Sequence, residues 1–223
     1  MAITASAGGT STAITARRPS WADMKKYYPD SSVATADLYD VKIGGAFKNL
    51  YKHAAYANTC AVRMSYALNR SGLKLGKAPS AGGSMKGGDD YLYWIRVGDL
   101  KGELAKQFKN ADAELSLKII PASLLGDADR MSALFKERVK QAQDFLDTKL
   151  ASKNGIVVFE VQGWGDASGH FTLWDGTAKK LAYADGHDDS AKNTYYFWLT
   201  QLIEGEGKDR VVQVAKVKFW ELK

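Results

Sequence analysis

The sequence predicts an α+β fold, with helices first and an antiparallel sheet after, from three observations. Before residue 152 the apolar positions recur at spacings of three and four, most clearly at Met131, Phe135, Val139, Ala142, Leu146 and Leu150. From residue 155 onward the chain changes to β-branched and aromatic runs, IVVFEV, HFTLW and RVVQVAKVKFWEL, separated by turn residues. No internal repeat or low-complexity linker divides the two halves, and 223 residues suit one domain.

Taken in order, residues 1–16 are small and polar and are expected to form a flexible N-terminus, leaving 17–223 as a single domain. Ser20 is placed to cap a short helix starting at Trp21, and Pro29 stops it. The segment KIGGAFKNLYKHAAY reads as a glycine-broken loop followed by a helix. Asn58 or Thr59 then caps a helix from Cys60 to about Asn69, with Met64 and Leu68 on its apolar side and Gly72 closing it. APSAGGSMKGGDD is a glycine-rich loop, YLYWIRV a strand, GDLKGELAKQFKN a helix, and LSLKII a strand. Residues 123–151 form a long helix packed by one apolar stripe. The run IVVFEV fits a buried strand. Asp175-Gly176 turns HFTLW back into LAYAD, and YYFWLTQLI and RVVQVAKVKFWEL complete the β material.

Composition narrows the function classes. A net charge of +6, with a pI near 9.2, favours anionic partners such as an acidic wall polymer. The basic residues are dispersed and form no run of five or six, which argues against nucleic acid. No stretch approaches 18 apolar residues, so no membrane insertion is expected. The first 18 residues lack the basic and apolar regions of a secretory signal, so a protein acting outside its cell needs another carrier. One cysteine cannot form an internal disulfide, and nothing resembles a zinc-ligand pair, a phosphate-binding loop or a serine-nucleophile elbow. Neither metal nor cofactor is expected.

That single cysteine, Cys60, is either a small buried hydrophobe or a nucleophile at a helix N-terminus, where the backbone N–H groups favour a thiolate. A nucleophile needs a base, and the base an orienting group. His53 has no evident partner and His187 sits in a polar loop. His170 starts a strand behind the small-residue turn Ala167-Ser168-Gly169, and the hairpin at Asp175-Gly176 returns residues 183–185 towards it. Cys60, His170 and Asp185 thus make one possible triad, against a core cysteine, a satisfied turn histidine and a solvated aspartate.

Two longer motifs add to this reading. They are Cys60-Ala-Val-Arg63-Met64-Ser65-Tyr66-Ala-Leu68-Asn69 and Gly163-Trp164 through Gly169-His170-Phe-Thr172-Leu173-Trp174-Asp175-Gly176. They resemble the fourth family of type VI secretion amidase effectors, with RPSW, IGGAFKNL and YWIRVGDL as weaker matches. The resemblance implies a papain-like cysteine peptidase core without a cofactor. It also implies cleavage of peptidoglycan stem peptides between γ-D-glutamate and meso-diaminopimelate. Cys60 would be the nucleophile, His170 the base and Asp185 the acid. It further implies delivery by the type VI secretion apparatus to the periplasm of a target cell, and a cognate immunity protein as inhibitor. Asn58 caps the helix or serves the oxyanion hole, Trp164 walls the groove or joins the core, and Gly169, beside His170, is a further candidate for substrate binding or the oxyanion hole. Arg63, Met64 and Tyr66 are expected to support the helix. The chain departs from the family in three ways: it has no cysteines around the acid, a longer spacing from His170 to the acid, and a helical insertion near 123–151. The second departure keeps Asp175, Asp188 and Asp189 open as alternative acids. A binding module on a similar scaffold, or a papain-like enzyme acting on proteins, are the rival readings.

Overall fold

The computed structural model describes residues 3–7, 10–14, 18–165, 167–184, 193–203 and 210–223. Its centre is an antiparallel sheet of six strands: β5 (Ala113–Ser116), β6 (Gly155–Gln162), β7 (Gly169–Asp175), β8 (Lys180–Leu181), β9 (Thr200–Ile203) and β10 (Arg210–Glu221). The order is β5-β10-β6-β7-β8, and β9 pairs with the first part of β10. Two small hairpins lie apart from it, β1 (Ile3–Ala7) with β2 (Thr10–Ile14), and β3 (Ser84–Lys86) with β4 (Leu92–Trp94).

Both faces of the sheet are covered, which is why IVVFEV runs unbroken rather than alternating with polar residues. Ile156 and Val158, with Phe171 and Leu173 of β7, pack against α1 (Trp21–Tyr27), α2 (Cys60–Arg70) and α3 (Val97–Phe108), through Met24, Met64, Leu68, Leu100 and Leu104. Val157, Phe159 and Val161 face the other way, onto Ala142 and Phe145 of α4 (Ala128–Lys149) and the turn residues Tyr196 and Phe197. Ser20 caps α1 by accepting from the Asp23 N–H at 3.1 Å, and Tyr28 ends it.

Several elements differ from the sequence expectation, each for a local reason. Within residues 1–16, where no regular element was expected, the described residues pair as the β1–β2 hairpin. The helix expected over KNLYKHAAY breaks into single turns, Gly45–Phe47, Leu50–Lys52 and Ala54–Tyr56. Asn49 is left-handed (φ 64°) and His53 extended, and either stops an i→i−4 ladder. Before them, Asp37–Ile43 winds as one π-helix. The strand expected over 91–97 is only Leu92–Trp94, because Val97 already opens α3. LAYAD pairs as a strand only through Leu181, whose outer N–H and C=O are both taken by the Asn193 side chain, at 2.9 and 3.0 Å. The YYFW run is a 3-10 turn rather than a strand.

The stripe on α4 is half right. Ala142, Phe145 and Leu150 are buried, but Phe135 is exposed, and Arg138 is fully buried where the pattern offered no apolar residue. Arg138 donates to the carbonyls of Lys118, Leu199 and Val214 and to Thr200 Oγ1, tying α4 to the far edge of the sheet. Desolvation draws its guanidinium down to about 10.

Candidate active site

The site starts at the N-terminus of α2. Thr59 is the capping position but its side chain makes no capping bond. Asn58 does so instead, its Oδ1 accepting from the Cys60 N–H at 3.4 Å. This agrees with the capping role for Asn58, which also lines a surface groove. Cys60 is fully buried, in the core cluster shared by Met64 and Phe171.

Thr59 Oγ1 is turned inward, where it accepts from Arg63 Nε at 2.9 Å and donates to the Tyr183 hydroxyl at 3.3 Å. Arg63, one turn after Cys60, is 2% exposed and has no described carboxylate within ion-pair reach. Its remaining donors go to the main-chain carbonyls of Pro29, Asp30 and Val33, at 2.9 to 3.0 Å. Its guanidinium carbon lies 4.2 Å from the centre of the Tyr183 ring. A buried cation is tolerated because every face of it meets a dipole or a π cloud. Burial, the largest influence, pushes the neighbouring Tyr28 phenol well above its usual range, against the pull of Thr172 and Arg63.

His170 is the second residue of β7, opposite Phe159, and is 1% exposed. Its ring packs 4.9 Å from Tyr196 and 5.7 Å from Tyr183, centre to centre. Nε2 lies 2.8 Å from the Tyr183 carbonyl. A carbonyl only accepts, so Nε2 carries the hydrogen, and in the neutral ring Nδ1 is the basic nitrogen. Gly169 precedes it because nothing larger fits: a Cβ there would stand 2.3 Å from the Phe159 carbonyl oxygen.

Tyr183 therefore joins the two halves of the site. Its carbonyl meets His170, its hydroxyl meets Thr59 beside Cys60, and its N–H donates to Thr172 Oγ1 at 2.9 Å. The hairpin returns to His170, as the Asp175-Gly176 turn signal implied, and the described partner of Nε2 is the main chain of residue 183. Asp185, with Asp188, Asp189 and His187, lies outside the described residues. Asp175 is engaged elsewhere: it pairs with Lys25 at 2.7 Å and accepts from the N–H groups of Thr177 and Ala178. His53 is exposed in its single turn, away from any described partner. Trp164 packs against the core on the α4 side and is not among the residues lining the groove.

The groove, about 530 Å³, is bordered by Asn58, Ile95, Arg96, Asp99, Gly165 and Ser168. Asn58 is two residues before Cys60 and Ser168 two before His170, so the groove lies beside the two segments that carry the buried side chains. Sequence reasoning named Arg63 as a helix-supporting residue but not its bonds to residues 29–33 and Thr59. It missed Tyr183, which gave no signal beyond its place in LAYAD, and Arg96, which sat inside an expected strand. No group of three or more potential metal ligands occurs among the described residues, and no described helix is long and apolar enough to cross a membrane.

Comparison with known proteins gives the chain a family. Curated proteins yield no match by sequence. Among solved structures, the type VI effector Tae4 from Enterobacter cloacae is similar with a TM-score of 0.60 at 23% identity, over 94% of this chain and 100% of that one. The Tae4 chain of the Tae4–Tai4 effector–immunity complex from the same organism gives 0.58 at 24%, over 93% and 100%. The Salmonella typhimurium effector Tae4, solved with the E. cloacae immunity protein Tai4, gives 0.59 at 22%, over 92% and 100%. These likenesses establish the papain-like α+β fold. The sequence profile of the type VI secretion system amidase effector protein 4 family matches residues 56–220, the span that holds α2 and nearly all of the groove and the six-stranded sheet, and the chain belongs to that family.

Proposed function

We propose that this amidase cuts peptidoglycan stem peptides at the γ-D-glutamyl–meso-diaminopimelate bond, with Cys60 as nucleophile, His170 as general base and acid, and Asp185 orienting the histidine. The observation that carries this reading is the Tyr183 bridge: one residue fixes the tautomer of a buried histidine and, through Thr59, the first turn of the helix that begins with the cysteine. A core cysteine needs no such arrangement.

The chemistry follows from these groups. Nδ1 of His170 takes the thiol proton, and the thiolate of Cys60 attacks the scissile carbonyl. The N-terminal N–H groups of an eleven-residue helix, and the buried Arg63 cation one turn on, both favour the negative sulfur. The oxyanion of the tetrahedral intermediate is placed to take the Cys60 N–H from its long bond to Asn58. The imidazolium returns the proton to the departing diaminopimelate amine, leaving a γ-glutamyl thioester. Water, deprotonated by His170, then releases the carboxylate and restores the thiol. Asp185 follows two residues after the carbonyl that Nε2 meets, and in the orienting role it would share the Nε2–H with that carbonyl.

Delivery by the secretion apparatus into the periplasm of the target cell places the enzyme beside its substrate. The effector–immunity complexes formed by similar proteins support an immunity partner here too. The test is digestion of Gram-negative peptidoglycan with wild type and Cys60→Ala, with products read by mass spectrometry. Wild type should trim stems to the dipeptide end, and Cys60→Ala, equally folded, should leave them intact. Cleavage by Cys60→Ala, or untouched muropeptides with folded wild type, refutes the assignment. Release of peptides from casein in place of muropeptides would favour the protein-directed rival.

A further inference from the structure

Arg96 stands at the N-terminal boundary of α3 and lines the groove together with Asn58, Gly165 and Ser168. Other described arginines are committed: Arg18 to Asp112, Arg70 to Asp89, Arg130 to Asp127, and Arg63 and Arg138 to carbonyls. The side chain of Arg96 is exposed and, among the described residues, has no hydrogen bond, ion pair or ring contact, while its carbonyl accepts from the Leu100 N–H. The nearby carboxylate does not neutralise it. Asp99 Oδ1 accepts from Ser80 Oγ at 2.7 Å, and Oδ2 is turned in against Gly83, where a Cβ would meet it at 2.5 Å. On the opposite lip, Arg210 Nη1 would lie 3.6 Å from a Cβ at Gly165, so a second guanidinium borders the groove. Among the described residues, the groove carries the Arg96 guanidinium with Arg210 at its border, and its one lining carboxylate, Asp99, holds Ser80 through Oδ1.

Resting on the peptidoglycan reading above, we propose that Arg96 is a specificity-determining residue that reads a free carboxylate of the stem peptide beside the scissile amide. A γ-linked glutamate keeps its α-carboxylate, and diaminopimelate carries a carboxylate on its side-chain end. Either lies within a few bonds of the cut, and a guanidinium binds either through paired N–H donors. The role is binding rather than bond making, so its loss falls mainly on KM.

The experiment uses the full chain as wild type, Arg96→Gln and Arg96→Lys, on three synthetic tetrapeptide stems. One is the parent with γ-D-glutamate and meso-diaminopimelate. The second has the glutamate α-carboxylate as a carboxamide. The third has lysine for diaminopimelate, which removes the side-chain carboxylate. Arg96 makes no capping bond, so its replacement leaves α3 intact, which circular dichroism verifies. On the parent, Arg96→Gln should lose about 10–100-fold in kcat/KM, the range for a hydrogen-bonded charge, and Arg96→Lys should lose less. On the peptide that lacks the carboxylate being read, wild type should fall by a similar factor and Arg96→Gln by no more than about twofold further. Which peptide shows this coupling identifies the source. Arg96→Gln as active as wild type on the parent, or losing the same factor on all three peptides, overturns the proposal. A wild type that cuts none of the three removes the underlying activity and this assignment with it, whereas normal cleavage without coupling removes this assignment alone.

Discussion

Arg63→Met is the perturbation that most directly tests how the site is held. Methionine keeps much of the volume but removes every donor. Four acceptors lose their partner: Thr59 Oγ1 and the carbonyls of Pro29, Asp30 and Val33. Asp30 is exposed and Val33 half-buried, so water reaches the main chain there, whereas Thr59 and Pro29 are buried. Two buried acceptors left unsatisfied cost about 1–3 kcal/mol each. The lost contact with the Tyr183 ring adds about 0.5–2 kcal/mol. The sum, about 2.5–8 kcal/mol, is a large part of the roughly 5–15 kcal/mol that holds a domain together. Urea unfolding at neutral pH under reducing conditions, extrapolated linearly, measures it. Because Thr59 and Tyr183 both lose their anchor, amidase activity should also fall at least about tenfold at a temperature where the variant is folded, a loss of roughly 1.4 kcal/mol in the barrier. Arg63→Lys, which keeps the charge but not the fork, should lie between. A loss of stability below about 1 kcal/mol for Arg63→Met would show that the arginine bonds are replaced by water, and the argument for a buried keystone would be wrong.

Two further outcomes follow from the geometry. Burial tends to raise the Asp175 carboxyl, but the Lys25 ammonium and the N–H groups of Ala178 and Thr177 outweigh it and hold it below the usual carboxylate range. Its folded pKa is depressed, so its stabilisation is present above the unfolded value and lost as pH falls through the folded one. Asp175→Ala should cost about 1 kcal/mol at pH 7, and in pH-dependent urea unfolding the difference from wild type should begin to shrink only below the unfolded carboxylate value of about 4 and go on shrinking through the lower folded pKa; a difference already lost above about pH 4, or one that does not shrink on acidification, would contradict this. Gly169→Ala drives a Cβ into the Phe159 carbonyl and should cost about 1–3 kcal/mol and most of the activity, since β7 must move with His170 on it. A Gly169→Ala enzyme with wild-type kcat/KM and an unchanged thermal midpoint would show that the strand pair yields there without disturbing the site.

What the sequence made legible was periodic or punctuated. Ser20, the Cys60 helix, the long α4 helix with half of its stripe, and the doubly buried β6 each announce themselves through spacing or composition, and the structure has them. What it hid was set by tertiary partners. KNLYKHAAY has helical residues, yet a left-handed Asn49 and an extended His53 divide it. Aromatic YYFW has strand composition, yet it forms a turn that fills the core beneath β6. In the site, Cys60 and His170 stood out because chemistry restricts their types, and because long motifs surround them. Tyr183 contributes its carbonyl as well as its hydroxyl, and a main-chain carbonyl carries no signature of residue type.

The two buried arginines show what kind of solution the fold uses. Arg63 and Arg138 lie in different parts of the molecule, each on a helix, and each spends its donors on main-chain carbonyls of segments that lack a complete ladder of their own. Arg63 gathers residues 29–33, where α1 has ended. Arg138 gathers Lys118 after β5, Leu199 before β9, and Val214, beside which the pairing of β10 with β6 shifts register. An orphan carbonyl in the interior costs about as much as a lost hydrogen bond, and a planar five-donor group serves several at once where a neutral side chain serves one or two. The cost is a desolvated cation, visible as the depressed pKa of Arg138. Near α4 that cost has a purely architectural return. At α2 the same device leaves a buried positive charge in the first turn of the helix that begins with Cys60, so in the proposed mechanism the residue that closes the loop after α1 would also favour the thiolate. Structure and chemistry coincide there, and replacing Arg63 should therefore lower activity by more than its effect on the folded population accounts for.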